Sequence, residues 1–244
     1  MGIKNRLISM SFLQFFVWGA WLITIANYWF GTKQWEGTQF GLVFGTMGIA
    51  SLFMPTITGI IADRWVNAEK LYGILHILYA GVLFYLPQVT EPTTFIYIML
   101  LAMCFYMPTI SLSNSISYTS LKLSNKDVVK DFPPIRVFGT IGFIVAMWIT
   151  NLTGNKATEY QFYIAGIAAL LLGFYAFTLP KCEPQRLTKE NASLTETLGL
   201  EAFKLFGSYK MALFFVFSMF LGGALQLTNA YGDVFLDEFK HFPK

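Results

Sequence analysis

Asp131-Phe-Pro-Pro-Ile-Arg-Val-Phe-Gly-Thr-Ile-Gly-Phe143 sets an arginine, Arg136, at the head of an apolar stretch that runs on to Ile149. A guanidinium keeps its charge in a protein, and placing that charge in hydrocarbon costs at least a few kcal/mol. The stretch reads as a membrane helix, residues 135–152, interrupted by Gly139 and Gly142. Its one charge must meet either water at the interface or a polar ligand in a cavity. Six further segments resemble it in length and apolarity: residues 7–30, 40–62, 71–86, 95–117, 160–179 and 211–235. The third, 71–86, is short. A crossing needs about 20 apolar residues, and backbone groups in lipid must be satisfied within the segment, so all seven are expected to be helices.

Composition agrees. The chain has 244 residues, of which 55% are hydrophobic and only 13% charged, against about 25% charged in soluble domains. With a mean hydropathy of +0.53, this is the membrane class. The net charge of +3 is small and spread out, so nucleic acid is not an expected partner. Cys104 lies in an apolar segment and Cys182 in a polar loop, which supports neither a disulfide framework nor a metal site. Lys4 and Arg6 precede an apolar run that is too long for a signal peptide and lacks a small-residue cleavage site. An intramembrane enzyme would need paired catalytic groups. Two isolated histidines and two distant cysteines do not supply them, so no enzyme is expected.

Orientation follows from Lys and Arg in the loops. Lys4, Arg6, Arg64, Lys70, Lys122, Lys126, Lys130, Lys181, Arg186, Lys189, Lys204 and Lys210 fall on one side. Lys33, Lys156, Lys240 and Lys244 fall on the other. The amino terminus is therefore expected in the cytoplasm. Six helices (1–180), a linker (181–210) and a seventh helix (211–244) make the layout of the first half of a two-bundle transporter. The linker holds an amphipathic stretch, Leu198-Gly-Leu-Glu-Ala-Phe-Lys-Leu-Phe206, suited to an interface. On this reading the chain is truncated, and function requires the missing carboxy-terminal bundle.

Between the second and third helices comes Gly59-Ile-Ile-Ala-Asp63-Arg64. It resembles the loop motif of the major facilitator superfamily, Gly-x-x-x-Asp-Arg/Lys-x-Gly-Arg-Arg/Lys. The resemblance implies close helix packing at Gly59 and an inward gate held by Asp63 through charge-assisted contacts. Trp65-Val-Asn-Ala-Glu-Lys70 lacks the Gly-Arg pair and keeps one positive charge. Without the resemblance these residues are a solvated interfacial turn. Arg-Val-Phe-Gly-Thr-Ile-Gly-Phe143 resembles the fifth-helix sugar-binding segment of lactose-permease-type symporters. The whole chain resembles a closer group, the nucleoside:proton symporters of the same superfamily. The matching strings are Ser11-Phe-Leu-Gln-Phe15, Trp18-Gly-Ala-Trp21, Asp131-Phe-Pro-Pro-Ile-Arg136, Gly139-Thr-Ile-Gly-Phe143, Phe217-Ser-Met-Phe-Leu-Gly222 and Gln226-Leu-Thr-Asn229.

Arg136, Thr140 and Phe143 are spaced i, i+4, i+7, so one helix face presents all three. By resemblance this face meets a nucleobase: Arg136 as donor, Thr140 as hydrogen-bond partner, Phe143 as stacking surface. Gln226 and Asn229 would meet the ribose hydroxyls, since an amide both donates and accepts. From the residues alone, Thr140 and Phe143 also suit packing. Gln226 and Asn229 also suit interhelical hydrogen bonding, and Gln14, Asn27, Ser111, Ser113 and Asn114 read as such glue or as cavity lining. Trp18 and Trp21 line a cavity or pack, and His76 reads as structural. Pro55 and Pro108 are placed to kink their helices. Asp233 is the one helix carboxylate positioned for proton handling, and it lies near the outer end. In the resembling group such acids lie in later helices.

The expectation is an all-α membrane protein of the bacterial inner membrane. It would take up nucleosides by alternating access, with the proton as coupling ion, no cofactor, and a monomeric complete form. The alternatives are a sugar or oligosaccharide:proton symporter, or a non-transporting membrane partner protein if the chain is naturally this short.

Overall fold

The computed structural model describes residues 2–184 and 200–238, and no strand occurs among them. Seven α-helices follow in order: α1 (Ile3–Gly19), α2 (Gly37–Arg64), α3 (Ala68–Tyr85), α4 (Pro92–Leu123), α5 (Val128–Leu152), α6 (Tyr160–Ala176) and α7 (Tyr209–Glu238). Among the described residues, five of these have the length and apolarity to cross a membrane: α2, α3 with its extension to Gln88, α4, α5, and α7 to Leu236. α1 and α6 have 17 residues each, about 25 Å at 1.5 Å per residue. The architecture is that of a multi-pass membrane protein.

α1 packs on α5 and α6, α2 on α4, and α3 on α4 and α6. Exchanging α1–α3 for α4–α6 turns the α1·α5 pair into α4·α2 and the α1·α6 pair into α4·α3. The α3·α6 pair maps onto itself. The bundle is thus two three-helix repeats, the nested symmetry described for transporter halves.

The expected first helix, 7–30, is broken. α1 stops at Gly19, and the chain then turns and re-forms as a π-helix over Asn27–Thr32. The cause is tertiary. The Thr150 hydroxyl on α5 donates to the Ala20 carbonyl oxygen at 3.0 Å. The local ladder changes register, with Trp21 and Leu22 N–H both reaching Trp18 O. Pro55 and Pro108 lie inside continuous helices.

α5 begins at Val128, seven residues before the expected start, and holds Pro133 and Pro134. Asp127 caps it, its carboxylate accepting from Val129 N (2.9 Å) and Lys130 N (3.3 Å). The two prolines leave the carbonyls of Val129 and Lys130 without helical donors. Both residues are exposed, at a helix end where water can reach such groups. Lys4 pairs with Asp131 at 2.7 Å, joining the starts of α1 and α5.

The core divides into two buried apolar clusters, one towards each end of the bundle. At the end opposite the basic loops it is aromatic: Trp29 meets Trp35, Phe40 and Phe95 at 4.7–5.8 Å, and Tyr28 meets Phe162 at 5.2 Å. At the basic end, the buried Glu69 carboxylate accepts from Cys182 N (2.8 Å) and Asn67 Nδ2 (3.1 Å). Ala68 N–H donates to Cys182 O. Residues after α6 are thereby tied to the start of α3. Of the expected linker 181–210, residues 185–199, which include Leu198, lie outside the described residues. The remainder of the amphipathic stretch is a 3-10 helix, Leu200–Gly207, whose Phe206 ring stacks on Phe215 of α7 at 4.7 Å.

Candidate functional site

α1 and α5 cross with almost no side chain between them. A Cβ at Gly142 would overlap the Phe12 carbonyl oxygen. One at Gly19 would stand 2.8 Å from Phe143 Cα. Gly19 and Gly142 let the backbones touch, as small residues do in membrane bundles, while the space at Gly139 is taken by side chains of Ser11, Phe15 and Arg136. Ser11, Phe15 and Trp18 of α1 repeat the i, i+4, i+7 spacing of Arg136, Thr140 and Phe143 of α5. The face of α5 that is buried runs through Ile135, Gly139, Gly142, Ala146 and Thr150; Arg136 and Phe143 flank it and Thr140 lies off it, exposed.

Arg136 is half-buried, and its Cζ lies 3.8 Å from the Phe15 ring centroid. It is the ninth residue of α5, about 12 Å along the axis from the first at 1.5 Å per residue. The expected position a few residues into the helix is therefore corrected by the early helix start. Thr140, one turn on, is exposed. Arg136 and Thr140 share an open groove of about 430 Å³ with Phe132, Pro133 and Val137. Phe143 does not line that groove. It is half-buried and stands edge-on to Trp18, centroids 6.4 Å apart at 87°. Trp18 leans on Tyr106 at 5.8 Å, and its buried Nε1 has no hydrogen-bond partner.

Gln226 and Asn229 are half-buried on α7. Gln226 Nε2 lies 3.8 Å from Met47 Sδ of α2. It lines a groove of about 280 Å³ with Gly41, Phe44, Gly223, Ala230 and Tyr231, among others. This groove shares no residue with the Arg136 groove, so the two expected halves of the site are not brought together here. At the other end of α2, Asp63 and Arg64 are exposed. Asp63 opens on a cavity of about 420 Å³ that includes Ser115, Tyr118, Lys122 and Glu183. Gly59 does not serve close packing among the described residues, since a Cβ there would meet nothing within 4 Å.

Several polar residues do join helices. Gln14 is fully buried: its Nε2 donates to Thr109 Oγ1 (2.9 Å) and its Oε1 accepts from Tyr72 OH (2.6 Å). Tyr106 OH donates to Gln14 O at 2.7 Å. Ser111 and Ser113 instead return to carbonyls of their own helix. His76 is fully buried, with Nδ1 on the Tyr72 carbonyl at 3.0 Å and Nε2 unpartnered. Asn27 Nδ2 donates to Asp233 Oδ2, and Lys156 Nζ lies 3.7 Å from that oxygen. Among the described residues, no group of three or more His, Cys, Asp or Glu is arranged to hold a metal ion.

Sequence reasoning assigns no role to Phe15 and no partner to Asp233. Phe15 was marked by its spacing: Ser11, Phe15 and Trp18 duplicate the α5 stripe. No local signal pairs Asn27 with Asp233, which lie 206 residues apart.

The nucleoside H+ symporter family matches residues 1–243. The xanthosine permease of Escherichia coli K12 is 49% identical over 244 residues, covering 100% of this chain and 58% of that protein. The nucleoside permease NupG of the same organism is 44% identical over 243 residues, again covering 58% of its length. The crystal structure of the nucleoside transporter NupG superposes with a TM-score of 0.85 at 44% identity, over 100% of this chain and 60% of that one. A mutant form of it gives 0.89. The chain thus spans about three fifths of the length of these relatives.

Proposed function

The chain belongs to the nucleoside H+ symporter family, and on that footing we propose that it supplies the first bundle of a proton-coupled nucleoside importer. Residues 1–180 are that bundle, 181–210 the linker, and 211–244 the seventh helix and start of a second bundle. The basic end faces the cytoplasm of a bacterial inner membrane, as loop Lys and Arg direct. Nucleoside enters between two bundles near the midplane, and rocking exposes it to each side in turn. Arg136 donates to the base, Thr140 completes the polar contact and Phe143 stacks. Gln226 and Asn229 meet the ribose once α7 and α5 face one cavity. Gly59, Asp63 and Arg64 form the cytoplasmic gate segment. The proton is the coupling ion and no cofactor is needed. The complete protein acts as a monomer.

The observation that carries this reading is Arg136. It lies more than two turns inside α5, opens on a groove with Thr140, and makes no hydrogen bond or ion pair among the described residues. A charge kept at that depth with an aromatic face beside it but no hydrogen-bonding or ionic partner among the described residues suits a ligand. The test is uridine uptake by cells producing the full-length gene product. Other nucleosides should compete and disaccharides should not, and a protonophore should abolish accumulation. Arg136→Ala should weaken uridine binding about ten- to hundredfold, the worth of a hydrogen bond to a charged group. Competition by disaccharides, or unchanged affinity in that variant at equal expression, refutes the assignment.

A further inference from the structure

The Arg136 guanidinium rests on Phe15, and this contact fixes more than depth. At 3.8 Å from Cζ to the ring centroid the two planar groups are in van der Waals contact, well inside the roughly 6 Å reach of a cation–π pair. One face of the guanidinium is therefore covered. Phe15 is itself buried, at 7% exposure, and leans on Trp18 at 6.4 Å, so the ring is not free to follow the arginine. Gly139 makes the arrangement possible. A Cβ there would stand 2.5 Å from Phe15 Cδ2, 2.8 Å from Arg136 Nη1 and 3.0 Å from the Ser11 hydroxyl. All three groups fill the space that a side chain at position 139 would take.

We propose that Phe15 is a positioning residue for Arg136: it covers one guanidinium face and, in the recess left by Gly139, aims the N–H edge into the groove shared with Thr140. This rests on the substrate-binding reading of Arg136. A guanidinium carries five N–H donors in a fixed plane. Holding that plane before substrate arrives spares the ordering cost of a long, mobile side chain. The edge so presented meets acceptor oxygens or nitrogens of a flat ring.

The experiment uses the full-length gene product, with uridine as probe, and reads binding and transport together. Phe15→Leu keeps an apolar side chain and removes the ring face. It should raise Kd and KM about three- to thirtyfold, with the maximal rate within about twofold. Phe15→Tyr keeps the face and should restore wild-type affinity. In an Arg136→Ala background, Phe15→Leu should add nothing, because its effect passes through the arginine. Gly139→Ala should weaken binding without any change at Phe15. If Arg136→Ala weakens binding while Phe15→Leu leaves Kd unchanged in a folded protein, the positioning proposal alone fails. Additive effects of the two substitutions, or a Phe15→Tyr variant as impaired as Phe15→Leu, overturn it equally. If Arg136→Ala itself leaves binding intact, the substrate-site reading fails and the proposal falls with it.

Discussion

Replacing Gly142 by alanine should push apart the two helices that build the site. The new Cβ would lie 2.9 Å from the Phe12 carbonyl carbon, 3.1 Å from its Cα, and nearer still to its oxygen. Carbon atoms rest at about 3.5–4.0 Å, so one helix must retreat by at least about 0.6 Å. The obstacle is backbone, which cannot swing aside as a side chain does. Sliding is blocked as well, because Gly19 presses on the Phe143 backbone in the reciprocal sense. A gap of about 0.5–1 Å forfeits a quarter to a half of each dispersion contact, and overpacking of this kind costs about 1–3 kcal/mol. Gly81→Ala on α3 is the control, since Gly81 is exposed and a Cβ there would meet nothing within 4 Å. Thermal unfolding of the purified full-length gene product, at one scan rate, should show Gly142→Ala several degrees below wild type and Gly81→Ala level with it. Uridine affinity should fall in the first variant, because α5 carries Arg136 away from Phe15. A Gly142→Ala protein as stable as the Gly81→Ala protein would refute the backbone-contact argument.

Two further outcomes follow from charge and burial. Asp233→Asn removes the carboxylate that Asn27 and Lys156 share. Both charged side chains are more than a quarter exposed, so the pair is worth about 0.2–1 kcal/mol. Spin-label distances across this end should show its open form gaining up to about fivefold in population; no change in populations would sink the idea. Burial, with the Glu69 charge adding, pushes the Cys182 thiol up to about 11. Only the thiolate reacts, so maleimide labelling of Cys182 at pH 8, followed by mass spectrometry, should run about a hundredfold slower than at a free cysteine. It should quicken about tenfold per pH unit below 11. Labelling at the rate of a free cysteine would contradict the burial.

Hydropathy was enough for the count of helices, since lipid permits few other structures, but the ends of helices were set by distant partners. The break after Gly19 depends on a hydroxyl at Thr150, which belongs to another apolar segment and looks like packing. The start of α5 was hidden by Pro133 and Pro134, which read as a stop but fall where exposed carbonyls can be hydrated. Gln14 was legible as interhelical glue because a buried amide needs partners; which partners, Thr109 and Tyr72, was not. The face of Arg136, Thr140 and Phe143 was legible from spacing, yet spacing treats the three alike. The structure separates them: Arg136 and Thr140 open on a groove, whereas Phe143 is already engaged with Trp18.

That separation bears on how α7 takes part. Among its described residues only Ala230 is buried, and its contacts with the bundle gather towards one end: Gln226 on Met47, Tyr231 on Phe40 at 5.4 Å, and Asp233 on Asn27. The helix from Leu213 to Leu225 touches little and is largely exposed. A helix fastened to the bundle at one end, and at the other stacked through Phe215 on Phe206 of the preceding 3-10 helix, can pivot about its bundle fastening. The α7 side chains proposed for ribose, Gln226 and Asn229, lie where the fastening begins, so a pivot moves them little and moves the far end most. Arg136 stands on α5, which is locked to α1 by backbone contact and cannot follow. Bringing Gln226 and Asn229 towards Arg136 would therefore take displacement of the fastening itself, by motion of α7 against the α1–α5 pair. The ion pair at Asp233 is the charged tie that such a motion would strain first, which is why its removal is expected to shift populations and not to unfold the bundle.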